Sequence, residues 1–224
     1  MTGKTLFITG ASSGIGAATA RLAVSRGWRV GLFARRADRL GTLVDQFGTG
    51  NAISLPGDVT QLSDQQAALE RMAETFGGID AAFANAGRGL DAPGTEGGDV
   101  DEWRAMIEIN IMGLLFTVKA TLPHLKVRQG HLLMTGSAAG RIHIKGSVYG
   151  ASKWFVHGYA GNLAEEMREW GGRCTVIAPG MVDTEFFDEA KPKAIRTDEV
   201  ANAALYALEA GDHAAVREVF LMPR

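Results

Sequence analysis

Tyr149 and Lys153 stand four residues apart in the segment Tyr149-Gly150-Ala151-Ser152-Lys153. In a helix that spacing sets both side chains on one face. A free phenol titrates near ~10 and a free lysine near ~10.4, so neither is an effective base at neutral pH unaided. A neighbouring ammonium favours the phenolate and is expected to lower the tyrosine pKa. Tyr149 then becomes a proton donor to a carbonyl, or an acceptor from an alcohol. Ser137 follows the apolar run His131-Leu132-Leu133-Met134-Thr135-Gly136, where the carboxyl end of a strand would bring its hydroxyl to a bound oxygen. Asn110 interrupts Ile107-Glu108-Ile109-Asn110-Ile111-Met112, and a buried amide there needs hydrogen-bond partners. Each residue alone is a weak signal. The four together are a specific one.

A second pattern lies at the other end of the chain. Thr9-Gly10-Ala11-Ser12-Ser13-Gly14-Ile15-Gly16 follows an apolar run and opens a helical segment. Glycines there permit a tight turn and let a pyrophosphate approach the backbone, while the helix start offers free N–H groups. The spacing is G-x-x-x-G-x-G, and the Gly-Lys-Ser/Thr ending of a P-loop is missing. A NAD site would place an acid about twenty residues further on. The second run ends instead in Phe33-Ala34-Arg35-Arg36. Arginines there would pair with a 2′-phosphate, so NADP (NADPH) is the expected cofactor. Asp38, just beyond, reads as a helix-start residue.

These residues need a scaffold, and the chain's rhythm supplies one. Apolar runs occur at 5–9, 30–34, 52–55, 79–84, 131–136, 175–179 and 219–222. They are mostly continuous rather than alternating, as strands buried on both faces of a parallel sheet should be. Segments with helical spacing lie between them: 14–26, 61–76, 100–127, 147–170 and one beginning near Thr197. The alternation predicts one α/β domain over 1–224, a doubly wound parallel sheet of about seven strands with helices on both faces. The stretch 88–99 has no hydrophobic pattern and reads as a surface loop.

Composition excludes several classes. With 23 Lys+Arg against 25 Asp+Glu, no basic excess points to nucleic acid. Cys174 is the single cysteine, so no disulfide can form within the chain. The opening residues lack a signal-peptide layout, and no apolar stretch is read as long enough to span a bilayer. The histidines have no metal-ligand spacing, and no metal is expected. A cytoplasmic protein without membrane or nucleic-acid partners is the resulting expectation.

These motifs resemble the short-chain dehydrogenase/reductase family over essentially the whole chain. The TGxxxGxG motif is Thr9–Gly16, Asp58-Val59 matches the adenine-side pair, and Ala84-Asn85-Ala86-Gly87 stands for NNAG with its first asparagine replaced. Asn110, Ser137, Tyr149 and Lys153 match the family tetrad. Pro179-Gly180-Met181-Val182-Asp183-Thr184 matches the segment that binds the nicotinamide end. The resemblance implies a Rossmann-like fold and a cofactor site that includes Gly10, Ser12, Ser13, Gly14, Ile15, Gly16, Arg35, Arg36, Asp58, Val59, Asn85, Ala86, Gly87, Pro179, Gly180, Val182 and Thr184. It further implies that Lys153 holds the nicotinamide ribose and that Asn110 fixes a water in a proton relay. Hydride would pass between the nicotinamide and a small-molecule carbonyl or alcohol, including 3-hydroxy acids to judge from the ending REVFLMPR. A homodimer or homotetramer, joined through the long helices, is also implied.

Three features depart from that family. The Ser137–Tyr149 spacing is one residue shorter near Gly146-Ser147-Val148, Ala84 replaces an asparagine, and the segment from Thr184 to Thr197 is short, which suggests a more open site. Arg88, Arg141, His143 and Lys145 fall in loops near the expected mouth. They read as solvated charges, with carboxylate recognition as the alternative. Two rival functions share the fold: a dinucleotide-binding sensor or scaffold without turnover, and a nucleotide-sugar epimerase. The intact tetrad argues against the first, and the missing extra substrate domain against the second.

Overall fold

A computed structural model describes residues 3–90, 94–185, 191–211 and 213–224. Seven parallel strands form one sheet: β1 (Thr5–Thr9), β2 (Arg29–Ala34), β3 (Ala52–Pro56), β4 (Ala81–Ala84), β5 (His131–Thr135), β6 (Arg173–Pro179) and β7 (Glu218–Leu221). Their spatial order is β3-β2-β1-β4-β5-β6-β7. The order reverses between β1 and β4, and crevices for ligands open at the carboxyl ends beside such a reversal.

The continuous apolar runs are explained by the two buried faces. Leu6, Ile8, Val30, Leu32, Phe83, Leu133 and Ile177 belong to one core layer. The alternate residues Phe7, Phe33, Ala82, Leu132, Met134 and Val176 belong to the other. Helices α1 (Gly14–Ser25), α2 (Ala37–Phe47) and α7 (Thr197–Leu208) contribute to the first layer. Helices α3 (Leu62–Phe76), α5 (Leu114–Arg128) and α6 (Val148–Arg168) contribute to the second. Alanines make the α1–α7 contact close: Ala17, Ala20 and Ala23 lie in the same layer as Ala203, Ala204 and Ala207. Asp38 sits in the first turn of α2, where a carboxylate suits the positive helix end.

The long segment 100–127 differs from a plain helix. Helix α4 (Val100–Ile107) runs into a π-helical stretch, Glu108–Gly113, before α5 begins. The Gly113 carbonyl accepts hydrogen bonds from Gln65 Nε2 at 3.3 Å and Thr117 Oγ1 at 2.9 Å. A Cβ on Gly113 would come within 3.0 Å of Val59. These partners from outside the ladder favour the wider turn, and π-bulges are frequent at functional sites.

The same continuous helical segment corrects the expectation about apolar length. Val100–Arg128 contains an 18-residue window of mean hydropathy 1.5, apolar and long enough to cross a membrane by composition, with 44% of it buried inside the fold. Its buried residues, including Leu114, Val118 and Leu125, pack with Leu69 and Met72 of α3 beneath the sheet. It is a core helix of this domain.

Leu69 is fully buried in that layer. Leu69→Ala should cost about 2–5 kcal/mol of unfolding free energy, seen as a lower urea midpoint with an unchanged slope.

Candidate active site

Nearly all the sequence-predicted site residues line one cleft of about 1030 Å³ along the carboxyl ends of the strands. Two do not: Gly16 and Asn110 lie behind its wall. Gly16 is excluded for a packing reason, since a Cβ there would come 2.4 Å from the Gly10 carbonyl. Gly10 itself has φ +66° and lies against Asn85 and Ala86, so both its conformation and its space suit glycine.

Asn85 ties three strand ends together. Its Nδ2 donates to Thr9 O at 3.1 Å and Gly10 O at 3.5 Å, while its Oδ1 accepts from Thr135 Oγ1 at 3.0 Å. Thr9 Oγ1 in turn accepts from the Asn85 and Ala86 amides at 3.0 and 3.1 Å. The replacement of the preceding asparagine by Ala84 leaves this staple complete, since Ala84 is the buried last residue of β4.

At its start, α1 has no side-chain cap and no acid in its first turn. Ser13, the residue before it, instead accepts a hydrogen bond from Arg36 Nη2 at 2.7 Å. Arg36 also donates to Ser12 Oγ at 2.9 Å. Glu185 crosses the cleft to meet Arg36 at 3.2 Å and Arg39 at 2.7 Å, and Arg39 first, then Arg36, holds its carboxyl below the usual range. Arg35 lines the same end. Asp58 Oδ1 accepts from the Thr60 amide and hydroxyl, each at 2.9 Å, which orders the Asp58-Val59 wall.

At the other end, Ser147 caps α6, its Oγ accepting from Gly150 N at 2.9 Å, so the helix begins with Tyr149 in its first turn. The Tyr149 phenol is hydrogen-bonded to Ser137. Burial holds the phenol above its ordinary pKa, and the Ser137 bond opposes this more weakly. The expected lowering of the phenol pKa is therefore not found in the protein alone, because desolvation of the ring outweighs the Ser137 bond. Lys153 is 6% exposed and lies with Nζ 5.8 Å from the Tyr149 ring centre. Its ammonium donates to Thr135 O at 2.9 Å, and burial lowers its pKa from 10.5 to about 8.

Asn110 is 2% exposed, and both ends of its amide are satisfied. Oδ1 accepts from Arg88 N at 2.9 Å, and Nδ2 donates to Arg88 O at 3.0 Å and to Ser152 Oγ at 3.3 Å. It thereby clamps the loop after β4 to α6. Gly87 lies under this clamp, where a Cβ would sit 3.3 Å from Asn110 Oδ1.

Pro179, Gly180, Val182 and Thr184 close the cleft from β6. Val182 forms a bridge with Ile195, which fastens this segment to the start of α7. Much of the short segment between Thr184 and Thr197 lies outside the described residues, as do residues 91–93 of the surface loop. At the mouth, Arg88 is ion-paired with Glu102 and Arg141 with Glu218, and Arg141 stays solvent-exposed, as the solvated-charge reading expects. His143 packs against the Trp154 ring at 5.4 Å, and Lys145 lines the cleft. Apolar Ile142, Ile144, Met181 and Met222 share that lining, which the sequence did not single out.

The Lys153 shift has a measurable consequence. The unfolded lysine remains charged to about pH 10.4, whereas the folded one loses its proton near 8. Between those values the unfolded chain binds more protons, so this group makes stability rise with pH. The unfolding free-energy difference between wild type and Lys153→Met should therefore grow by up to ~1.4 kcal/mol per pH unit above about pH 8 in urea titrations. A flat difference would show that the ammonium keeps its charge in the fold.

Comparison with known proteins places this architecture. Residues 4–194 match the short chain dehydrogenase family. An uncharacterized oxidoreductase of Staphylococcus aureus strain MRSA252 is 36% identical over 228 residues, covering 100% of this chain and 98% of that protein. Among solved structures, an alcohol dehydrogenase from the archaeon Thermococcus sibiricus, complexed with 5-hydroxy-NADP, superposes with a TM-score of 0.90 at 30% identity, over 97% of this chain and 95% of that one. Serine dehydrogenase from Escherichia coli gives a TM-score of 0.87 at 28% identity, covering 96% of each chain. The protein is a short-chain dehydrogenase/reductase, an oxidoreductase built on a single Rossmann-like domain.

Proposed function

We propose that this chain interconverts a small alcohol and its carbonyl by NADP(H)-dependent hydride transfer, with Tyr149 as general acid and base. The observation that carries the reading is the Tyr149–Ser137 hydrogen bond at a large cleft, with Lys153 one helical turn behind it. A buried phenol with a raised pKa stays protonated at neutral pH, which suits donation to a carbonyl oxygen during reduction. Ser137 would hold that oxygen beside the phenol. In the reverse direction the Lys153 ammonium would stabilise the developing phenolate.

The residues fit a dinucleotide. The bare glycine loop and the uncapped start of α1 suit a pyrophosphate, because the first N–H groups and the helix dipole favour an anion. Arg35, Arg36, Ser12 and Ser13 would hold a 2′-phosphate, and Asp58 with Val59 the adenine. Asn85, Ala86 and Gly87 would border the cofactor, with Lys153 on the nicotinamide ribose and the segment Pro179 to Thr184 at the nicotinamide end. Bound there, the cofactor supplies or accepts the hydride. Recognition of a 3-hydroxy acid would fall to Lys145, since Arg88 and Arg141 already have carboxylate partners. Assembly as a homodimer or homotetramer belongs to the same reading, supported by exposed Ile107 and Val127 on the long helical segment.

Oxidation of NADPH, with NADH beside it, against aldehydes, ketones, 3-oxo acids and quinones tests this reading. Turnover with NADPH should fall at least about a hundredfold in Tyr149→Phe. Tight cofactor binding without turnover of any carbonyl would favour the sensor alternative. Glu185 competes for the arginines that a 2′-phosphate would use. Glu185→Gln should therefore tighten NADPH binding about threefold by fluorescence titration while leaving NADH unchanged, in keeping with the small worth of an exposed ion pair.

A further inference from the structure

Tyr149, Lys153 and His157 are spaced at i, i+4 and i+8 along α6, so they form one stripe on one face. The first two belong to the family pattern. His157 has no role assigned by that pattern, yet it is only 8% exposed.

Its ring is fitted into the turn that carries Ser137. A Cβ on Gly136 would come 2.7 Å from His157 Nε2, and one on Gly140 would come 2.6 Å from its Cδ2. Two glycines flanking Ser137 thus leave room for the imidazole. Nε2 lies 3.2 Å from the Ser137 carbonyl oxygen and 3.5 Å from the Ser137 amide nitrogen. On the far side of the ring, Nδ1 faces Glu218 Oε1 of β7 at 3.6 Å. Glu218 is held in turn by Arg141, whose Nε reaches Oε1 at 3.1 Å and whose Nη2 reaches Oε2. The Ser137 hydroxyl cannot choose its own direction freely, because its Oγ already accepts from Ala139 N at 3.1 Å in the same turn. The backbone of Ser137 therefore sets the hydroxyl, and His157 is the side chain braced against that backbone.

We propose that His157 is a positioning residue for Ser137, and that Arg141 and Glu218 fix the orientation of its ring. The contact keeps the Ser137 hydroxyl in hydrogen-bond range of Tyr149. Glu218 of the last strand, remote from the tetrad in the chain, thereby bears on the reactive pair together with Arg141 of the rim. A neutral imidazole is sufficient for this contact, since a proton on Nε2 is donated to the Ser137 carbonyl, the shorter of its two contacts with that residue.

The test compares His157→Leu with His157→Gln, which have similar volumes, alongside Glu218→Gln. Leucine fills the slot without a polar atom, whereas glutamine can restore a polar contact to Ser137. The first readout needs no substrate: the Cζ resonance of Tyr149 in protein labelled with 13C-tyrosine, assigned by its loss in Tyr149→Phe. His157→Leu should move this resonance toward its position in Ser137→Ala, and His157→Gln should leave it near wild type. Glu218→Gln should move it in the same direction by less. The second readout rests on the proposed function: kcat with the best carbonyl should fall about tenfold in His157→Leu and recover in His157→Gln, with the NADPH Kd unchanged. A shifted resonance in a protein that turns over no carbonyl would retain the positioning role and sink the reductase reading. An unshifted resonance in His157→Leu overturns the proposal. So does equal loss in the leucine and glutamine variants, which would mark a packing role. If His157→Leu does not fold, an unchanged resonance in Glu218→Gln overturns it, and a shifted one supports it.

Discussion

Asn85 is the constraint on which the carboxyl end of this sheet depends. One amide, placed where the strand order reverses, donates to the end of β1 and accepts from the end of β5. Both strand ends carry chemistry. On one side the Asn85 contact dictates that Gly10 has no side chain, which leaves the loop before α1 bare. On the other, Thr135 offers its hydroxyl to Asn85 and its carbonyl to the Lys153 ammonium. The glycine loop and the Tyr149–Lys153 helix are far apart in the chain, yet only two linked residues, Asn85 and Thr135, separate them in space. An apolar replacement would strand several polar groups without partners, which is why an amide is needed rather than a close-packed leucine.

Burial then sets the chemistry that this frame supports. Desolvation raises the Tyr149 phenol and lowers the Lys153 ammonium, bringing each closer to its neutral form. The two shifts have the same cause but opposite effects on the pair. A protonated phenol is ready to give its proton, and a lysine near 8 retains its charge through most of the neutral range. The same physics makes Cys174 inert, since burial pushes its thiol up to about 12.

Much of this was legible from residue order alone, because it depends on local periodicity. Continuous apolar runs mark strands covered on both faces, and all seven appear where such runs occur. The four-residue spacing of Tyr149 and Lys153 is likewise a property of any helix. Contacts between distant segments were not legible. The pairing of Arg141 with Glu218 joins residues 77 positions apart, so nothing in the order of residues points to it. Helix α2 showed only through Asp38. His157 repeats the spacing of Lys153 once more, but a single histidine in a helix carries no signal until Gly136, Gly140 and Glu218 are seen around it. The wide turn at Glu108–Gly113 depends on Gln65 and Val59, neither of which is a neighbour in sequence.

That wide turn also has an evolutionary side. A π-turn holds one residue more than an α-turn, so it changes the rotational phase of everything before it by roughly 100° relative to everything after it. Helix α4 carries Glu102, which pairs with Arg88, and α5 carries the apolar face under the sheet. Loss of a single codon in this stretch would restore an ordinary helix and keep every other side chain. It would also turn the Asn110 amide away from Arg88 and Ser152, or else turn the α5 face out of the core. The gene is therefore far less tolerant of a one-residue deletion here than of most substitutions, even though the segment reads as one continuous helix.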